Sequence, residues 1–177
     1  MESTFQIDSI DFRNRVEKLI GALNVYVDTH RQLAKLLEEK KIALVEMNDE
    51  SLEGILEHER SVIERIGDIE SERIELTEEV AVFLGRAPGS TIRLVELIML
   101  VGDDYREELL DLRDEVRDVA DRIDRVNKLN GSLVVQSLED IHLYIAMLTG
   151  VDPEAKTYDQ NGKAEDGPSS LLFDRTV

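Results

Sequence analysis

The chain has 177 residues, 42% of them hydrophobic but only 5% aromatic, with no Trp and no Cys. The missing cysteines exclude disulfide scaffolds, thiolate zinc sites and cysteine nucleophiles. Lys and Arg number 21 against 39 Asp and Glu, a net charge of −18, so the surface repels phosphate backbones and anionic lipid and argues against binding to nucleic acid or a membrane surface.

Three prolines, few aromatics and abundant Leu, Ile, Val, Glu, Asp and Arg form the composition of long helices rather than sheets. The acidity would also attract a basic partner, although a solvated acidic face is the plainer reading. The opening residues Met1 to Asp8 lack the basic start and apolar run of a signal peptide. The longest apolar run, Leu97–Val101, is far short of the roughly 20 residues that a membrane span needs. These features predict a soluble, cytoplasmic chain.

The first predicted helix covers about residues 7–47. Val16, Leu19, Ile20, Leu23, Val27, His30, Leu33, Leu37 and Leu44 recur at steps of three and four, which draws an apolar stripe along one helix face. At ~1.5 Å per residue it spans roughly 60 Å. Asn48-Asp49-Glu50-Ser51 breaks the pattern, and Asn and Asp favour turns and caps, so the chain reverses there. A second helix follows at about 51–84, with Ile55, Glu59, Val62, Ile66, Ile69, Arg73, Leu76, Val80 and Phe83 on its stripe. Gly85 and Pro88 are stop signals. Short loops between long helices make antiparallel neighbours.

A third helix is predicted over about 91–149. Ile92 to Val101 is apolar nearly all round, and Gly102-Asp103-Asp104 marks a place to kink or break; the pattern leaves open whether Ile92–Val101 is a separate helix. From Tyr105 the stripe runs through Leu109, Leu112, Val116, Val119, Ile123, Val126, Asn130, Leu133, Ser137, Ile141, Tyr144, Ile145 and Leu148, a left-handed coiled-coil signature. Gly131 lies inside it and costs roughly 1 kcal/mol against Ala, which a close approach or a local bend would explain. Gly150 ends it. Residues 151–177 are polar and broken by Pro and Gly, and read as a disordered tail; Leu171-Leu172-Phe173 is either an inert terminus or a short docking motif. The architecture is therefore all-α: a long antiparallel bundle or coiled coil of three to four helices over residues 1–150, then a flexible tail.

Chemistry is scarce. His30 falls on the first stripe, where a half-buried structural histidine is the plain reading. His58-Glu59 begins like a zinc-protease motif, but Val62 stands where the second His is needed. Glu139 and His142 make a single Glu-x-x-His unit, whereas di-iron bundles need two and further carboxylates. The glycine-containing loop 85–90 has no Lys, so a nucleotide site is not indicated. The reading is of no enzyme, no metal and no cofactor.

What remains are polar residues on apolar seams. Asn130 occupies a core-type position with Asn127 one turn earlier, and such an Asn costs stability while fixing register and partner number. Glu59 and Arg73 are placed to pair with charges on another helix. These residues either control register inside the bundle or align a partner helix on an opened seam.

The order of features resembles the FlgN family of flagellar export chaperones. The resemblance is carried by Leu37-x-x-Lys40-x-x-Ala43-Leu44, then Leu52, Glu59 and Arg73, the Leu84-Gly85 stop, Asn127-x-x-Asn130-x-x-Leu133 with Ser137-Leu138, and Tyr158 to Gly162. It covers about residues 7–162; the high acidity and Gly131 directly after Asn130 depart from the family pattern and leave the client's identity open. The resemblance implies a cytoplasmic, non-catalytic chaperone that binds the C-terminal helices of flagellar hook-associated (hook–filament junction) proteins and delivers them for type III secretion, with export apparatus components as further candidate partners. On that reading the client packs along Asn127, Asn130, Leu133, Leu138, Ile141, Tyr144 and Ile145, with Ile92–Val101 as the next apolar candidate. The alternative is a structural coiled-coil protein that only self-associates, without a secreted client.

Overall fold

A computed structural model describes residues 9–150, together with the backbone of residues 157–158 and 164–165. Four helices occupy the first range: α1 Ile10–Val45, α2 Asp49–Phe83, α3 Leu94–Leu100 and α4 Asp103–Thr149. Two short strands, β1 Thr157–Tyr158 and β2 Ala164–Glu165, pair antiparallel, with Thr157 opposite Glu165. The reading of the remaining tail as disordered, and the Leu171-Leu172-Phe173 motif with it, lies outside the described residues.

Local chemistry sets the helix ends. Ser9 caps α1 by accepting the Phe12 N–H at 3.2 Å. Asn48 caps α2 by accepting the Ser51 N–H at 3.0 Å, with Asp49 and Glu50 in the first turn, where acidic side chains favour the helix dipole. Between these helices Met47 takes a left-handed φ of 52°. The Asn48 N–H then reaches back to the Ala43 carbonyl at 3.0 Å and the Met47 N–H to that of Leu44 at 3.4 Å, which closes a Schellman cap. The end of α2 repeats the motif around Gly85, φ 80°, with Arg86 N–H to Ala81 O at 3.0 Å and Gly85 N–H to Val82 O at 2.9 Å.

The open question at residue 102 resolves into two helices. Val101 is extended, with ψ of 155°, and ends α3. The Arg106 guanidinium donates to the Ile98 and Val101 carbonyls, both at 3.3 Å, and so covers the last turn of α3 from the first turn of α4.

The molecule divides into two compact units between Gly131 and Ser132. This boundary lies inside α4, and most of the large apolar side chains of the helix beyond it are exposed. In the first unit α1 and α2 run antiparallel, tied by Arg15–Glu79 and Lys40–Glu59, both at 2.8 Å. The initial length of α4 runs parallel to α1: Tyr105 donates to Glu17 at 2.7 Å, and Arg31 meets Glu115 at 3.1 Å. The up-down-up order follows from the 84–102 crossover that contains α3.

Two apolar clusters fill this unit. The larger joins Phe12, Val16, Leu19 and Leu23 of α1 to Val80 of α2, Leu97 of α3 and Leu109 of α4. The smaller joins Leu33, Leu36 and Leu37 to Val62 and Val126. Ile92, Leu97, Ile98 and Val101 are buried, so one face of this segment closes the core, while Val95 and Met99 on its other side are exposed.

The predicted seam charges divide. Glu59 pairs across helices with Lys40, both side chains under one-fifth exposed. Arg73 instead grips Glu70 of its own helix through two hydrogen bonds of 2.6 and 2.8 Å, which holds the Glu70 carboxyl below its usual range. Burial, followed by the nearby Glu70 charge, pushes the Tyr26 hydroxyl up. His30 stacks on Tyr26 with ring centres 3.9 Å apart, and its Nδ1 lies 2.8 Å from the Tyr26 carbonyl. At Gly131 an added Cβ would meet nothing within 4 Å, so no close approach explains that glycine.

Candidate functional site

Helix α4 carries the seven residues expected to meet a partner, and the structure separates them. Asn130 is buried, 2% exposed, in the first unit, and its Nδ2 donates to the Leu37 carbonyl of α1 at 2.9 Å. Its Oδ1 is buried without a hydrogen-bond partner. The side chain therefore locks α4 against α1. Asn127, one turn earlier, is exposed, and Leu133 is half-buried.

Leu133 and the other four residues lie in the second unit, and those four are exposed: Leu138 51%, Ile141 52%, Tyr144 65% and Ile145 44%. Val134 and Leu148 join the same helix face, at 39% and 72%. Residues at i, i+3, i+4 and i+7 share a face, so Val134, Leu138, Ile141, Ile145 and Leu148 form one continuous apolar strip. Ser137 and Thr149 satisfy their hydroxyls on the Leu133 and Ile145 carbonyls, at 2.9 and 2.8 Å, and put no unpaired polar group onto it.

Val134 and Leu148 are not among the seven expected contact residues, although the sequence carries a signal for them. Between Ser132 and Thr149 the only formally charged residues are Glu139 and Asp140, in a chain where charged residues make up 34%. A monomeric surface seldom carries such a contiguous apolar run, and exposed runs of this kind mark interaction sites.

This arrangement exposes apolar surface that a complementary apolar face would cover. Among the described residues no group of three His, Asp or Glu side chains is placed to hold a metal ion. No described helix is long and apolar enough to cross a membrane.

Comparison with known proteins gives this face a context. The model of the FlgN protein family matches residues 15–166. The chain belongs to the FlgN family. This FlgN chain is also 32% identical, over 147 residues, to the uncharacterized protein YvyG of Bacillus subtilis (strain 168), covering 82% of the chain and 88% of the relative. No solved structure matches it. FlgN is a chaperone family of flagellar biogenesis and not an enzyme family, and membership implies flagellar proteins as partners in general. All seven expected partner-facing residues fall within the matched range.

Proposed function

We propose that this FlgN chain is a cytoplasmic export chaperone that holds the C-terminal helical region of hook-associated proteins, those of the hook–filament junction, prevents their premature association and delivers them to the flagellar type III apparatus. The observation that carries the reading is the exposed apolar strip of α4 around Ile141, in a chain of a flagellar chaperone family. A secreted helix with an apolar face self-associates unless that face is covered, and a helix laid along a complementary strip covers it.

Leu133, Leu138, Ile141, Tyr144 and Ile145 supply the apolar contact, and Asn127 precedes them on the same helix. Asn130 contributes indirectly, by fixing α4 against α1 through Leu37. No catalytic step or cofactor enters.

The test is capture of a purified hook–filament junction protein by the full chain and by the double variant Ile141→Asp, Tyr144→Asp. Both side chains are more than half exposed, so helicity stays near that of the parent while capture is abolished. Undiminished capture by the double variant would contradict the reading.

A further inference from the structure

The turn end of the α1–α2 hairpin, which shares no residue with the α4 strip, has an unfilled groove. It encloses about 470 Å³ and runs from Leu36 and Ala43 on α1 to Gly54 on α2. That space holds a few side chains, not a whole helix. Leu36 and Ala43, 6% and 4% exposed, give it an apolar floor, while Ile42 beside them stands 51% exposed.

Gly54 is the unexpected member of this lining. It lies inside α2 and takes no left-handed φ, so the backbone does not call for glycine there. Ala is the better helix former at such a position, because glycine has more backbone freedom to lose. A Cβ at Gly54 would meet nothing within 4 Å, so no packing inside this chain excludes one. What the bare backbone does allow is a close approach to the groove from outside.

The rim sets the sign of the partner. Residues 42–59 hold six Asp and Glu and no Lys or Arg, and of these Glu46 and Glu50 line the groove itself. The lysines just before this stretch, Lys40 and Lys41, are engaged by Glu59 and Glu38. A second copy of this chain, at net −18, would bring like charge to the rim, which is costly. A cationic surface gains attraction and faster encounter there.

We propose that the groove docks a short basic amphipathic helix of another polypeptide. Its small or apolar face lies over Gly54 and Ile42, and its Lys and Arg side chains reach Glu46 and Glu50. The groove sets the length: residues 36–46 of α1 span roughly 15 Å at ~1.5 Å per residue, about three turns. This site is independent of the client-holding reading.

The probe is a synthetic helical peptide of about 14 residues, with a Leu and Ala stripe flanked by Lys and Arg. A twin carries Gln in place of every Lys and Arg. Binding to the full chain is read by fluorescence anisotropy in roughly 50 and 500 mM NaCl. Gly54→Leu fills the groove and Ile42→Gln removes its apolar edge, and neither alters the net charge. Both are expected to bind the basic peptide at least about tenfold more weakly, while Gly54→Leu melts no lower than the parent. The double variant Glu46→Gln, Glu50→Gln should lose at least about fivefold. The double variant Glu72→Gln, Glu75→Gln removes the same charge from exposed positions elsewhere on α2, and should stay within about twofold. The twin, and the high-salt condition, should each weaken binding at least about fivefold.

No binding by the parent, or equal binding by the twin, would overturn the proposal. So would unchanged affinity in Gly54→Leu and Ile42→Gln, which would reduce the attraction to that of any acidic surface. Loss of peptide binding in Ile141→Asp, Tyr144→Asp would place the peptide on the α4 strip and overturn it too. A parent dimer in sedimentation that Gly54→Leu dissolves would make a second copy the occupant, with the same consequence. None of these results bears on client holding, which fails only if a hook–filament junction protein is not captured.

Discussion

Asn130 makes one hydrogen bond and forgoes another. Its Nδ2 reaches the Leu37 carbonyl, while Oδ1 is buried with no partner. Leu37 lies mid-helix, so its carbonyl keeps an intrahelical donor whether or not Asn130 is present. Replacing Asn130 by the near-isosteric Leu therefore removes a buried unsatisfied oxygen at little expense, and the expected gain is about 1 kcal/mol, or roughly 3 °C in Tm. The accompanying loss is in specificity of the α1–α4 register, as for a buried Asn in a coiled coil. Calorimetry checks the gain; a fall in Tm would show that the Leu37 contact outweighs the orphaned oxygen. The inward position of Asn130 was legible in its place on the stripe. What periodicity left open was whether the residue faces this chain or another, since both choices use the same spacing.

At the scale of elements, the long helices were legible because their apolar steps and caps agree: Ser9 and Asn48 at starts, and Gly85 at a stop. The separate helix α3 was only half legible. Gly102 and two aspartates signalled a break, but the Arg106 contacts that join the two helix ends depend on tertiary placement. The α1–α2 turn was harder still. The sequence directs attention to Asn48, whereas the left-handed residue is Met47, a side chain 78% exposed. A non-glycine residue pays for that conformation in steric strain, and Gly does not. Met47→Gly should therefore stabilise the hairpin by up to about 1 kcal/mol, read as a higher midpoint in urea with an unchanged slope. A lower midpoint would mean that the exposed Met47 side chain makes contacts worth more than the strain.

Over the whole molecule, charge and apolar surface are sorted. A chain carrying 39 acidic residues keeps all but two formal charges out of residues 132–149. There it shows an apolar strip that its first unit, with two filled clusters of its own, does not require. Composition and periodicity located the stripe, but they could not say where its covered part ends, because Leu112 and Ile141 satisfy the same pattern while one is 4% and the other 52% exposed. The FlgN family assignment then supplies a flagellar context for the uncovered part.

The most direct test is hydrogen exchange on the full chain with and without a purified hook–filament junction protein. Amides in an uncovered helix open locally and exchange sooner than those of a packed core. The account predicts that the client slows exchange across residues 134–148 while α1 and α2 exchange as before. Protection confined to α1 and α2, with 134–148 unchanged by a bound client, would contradict it.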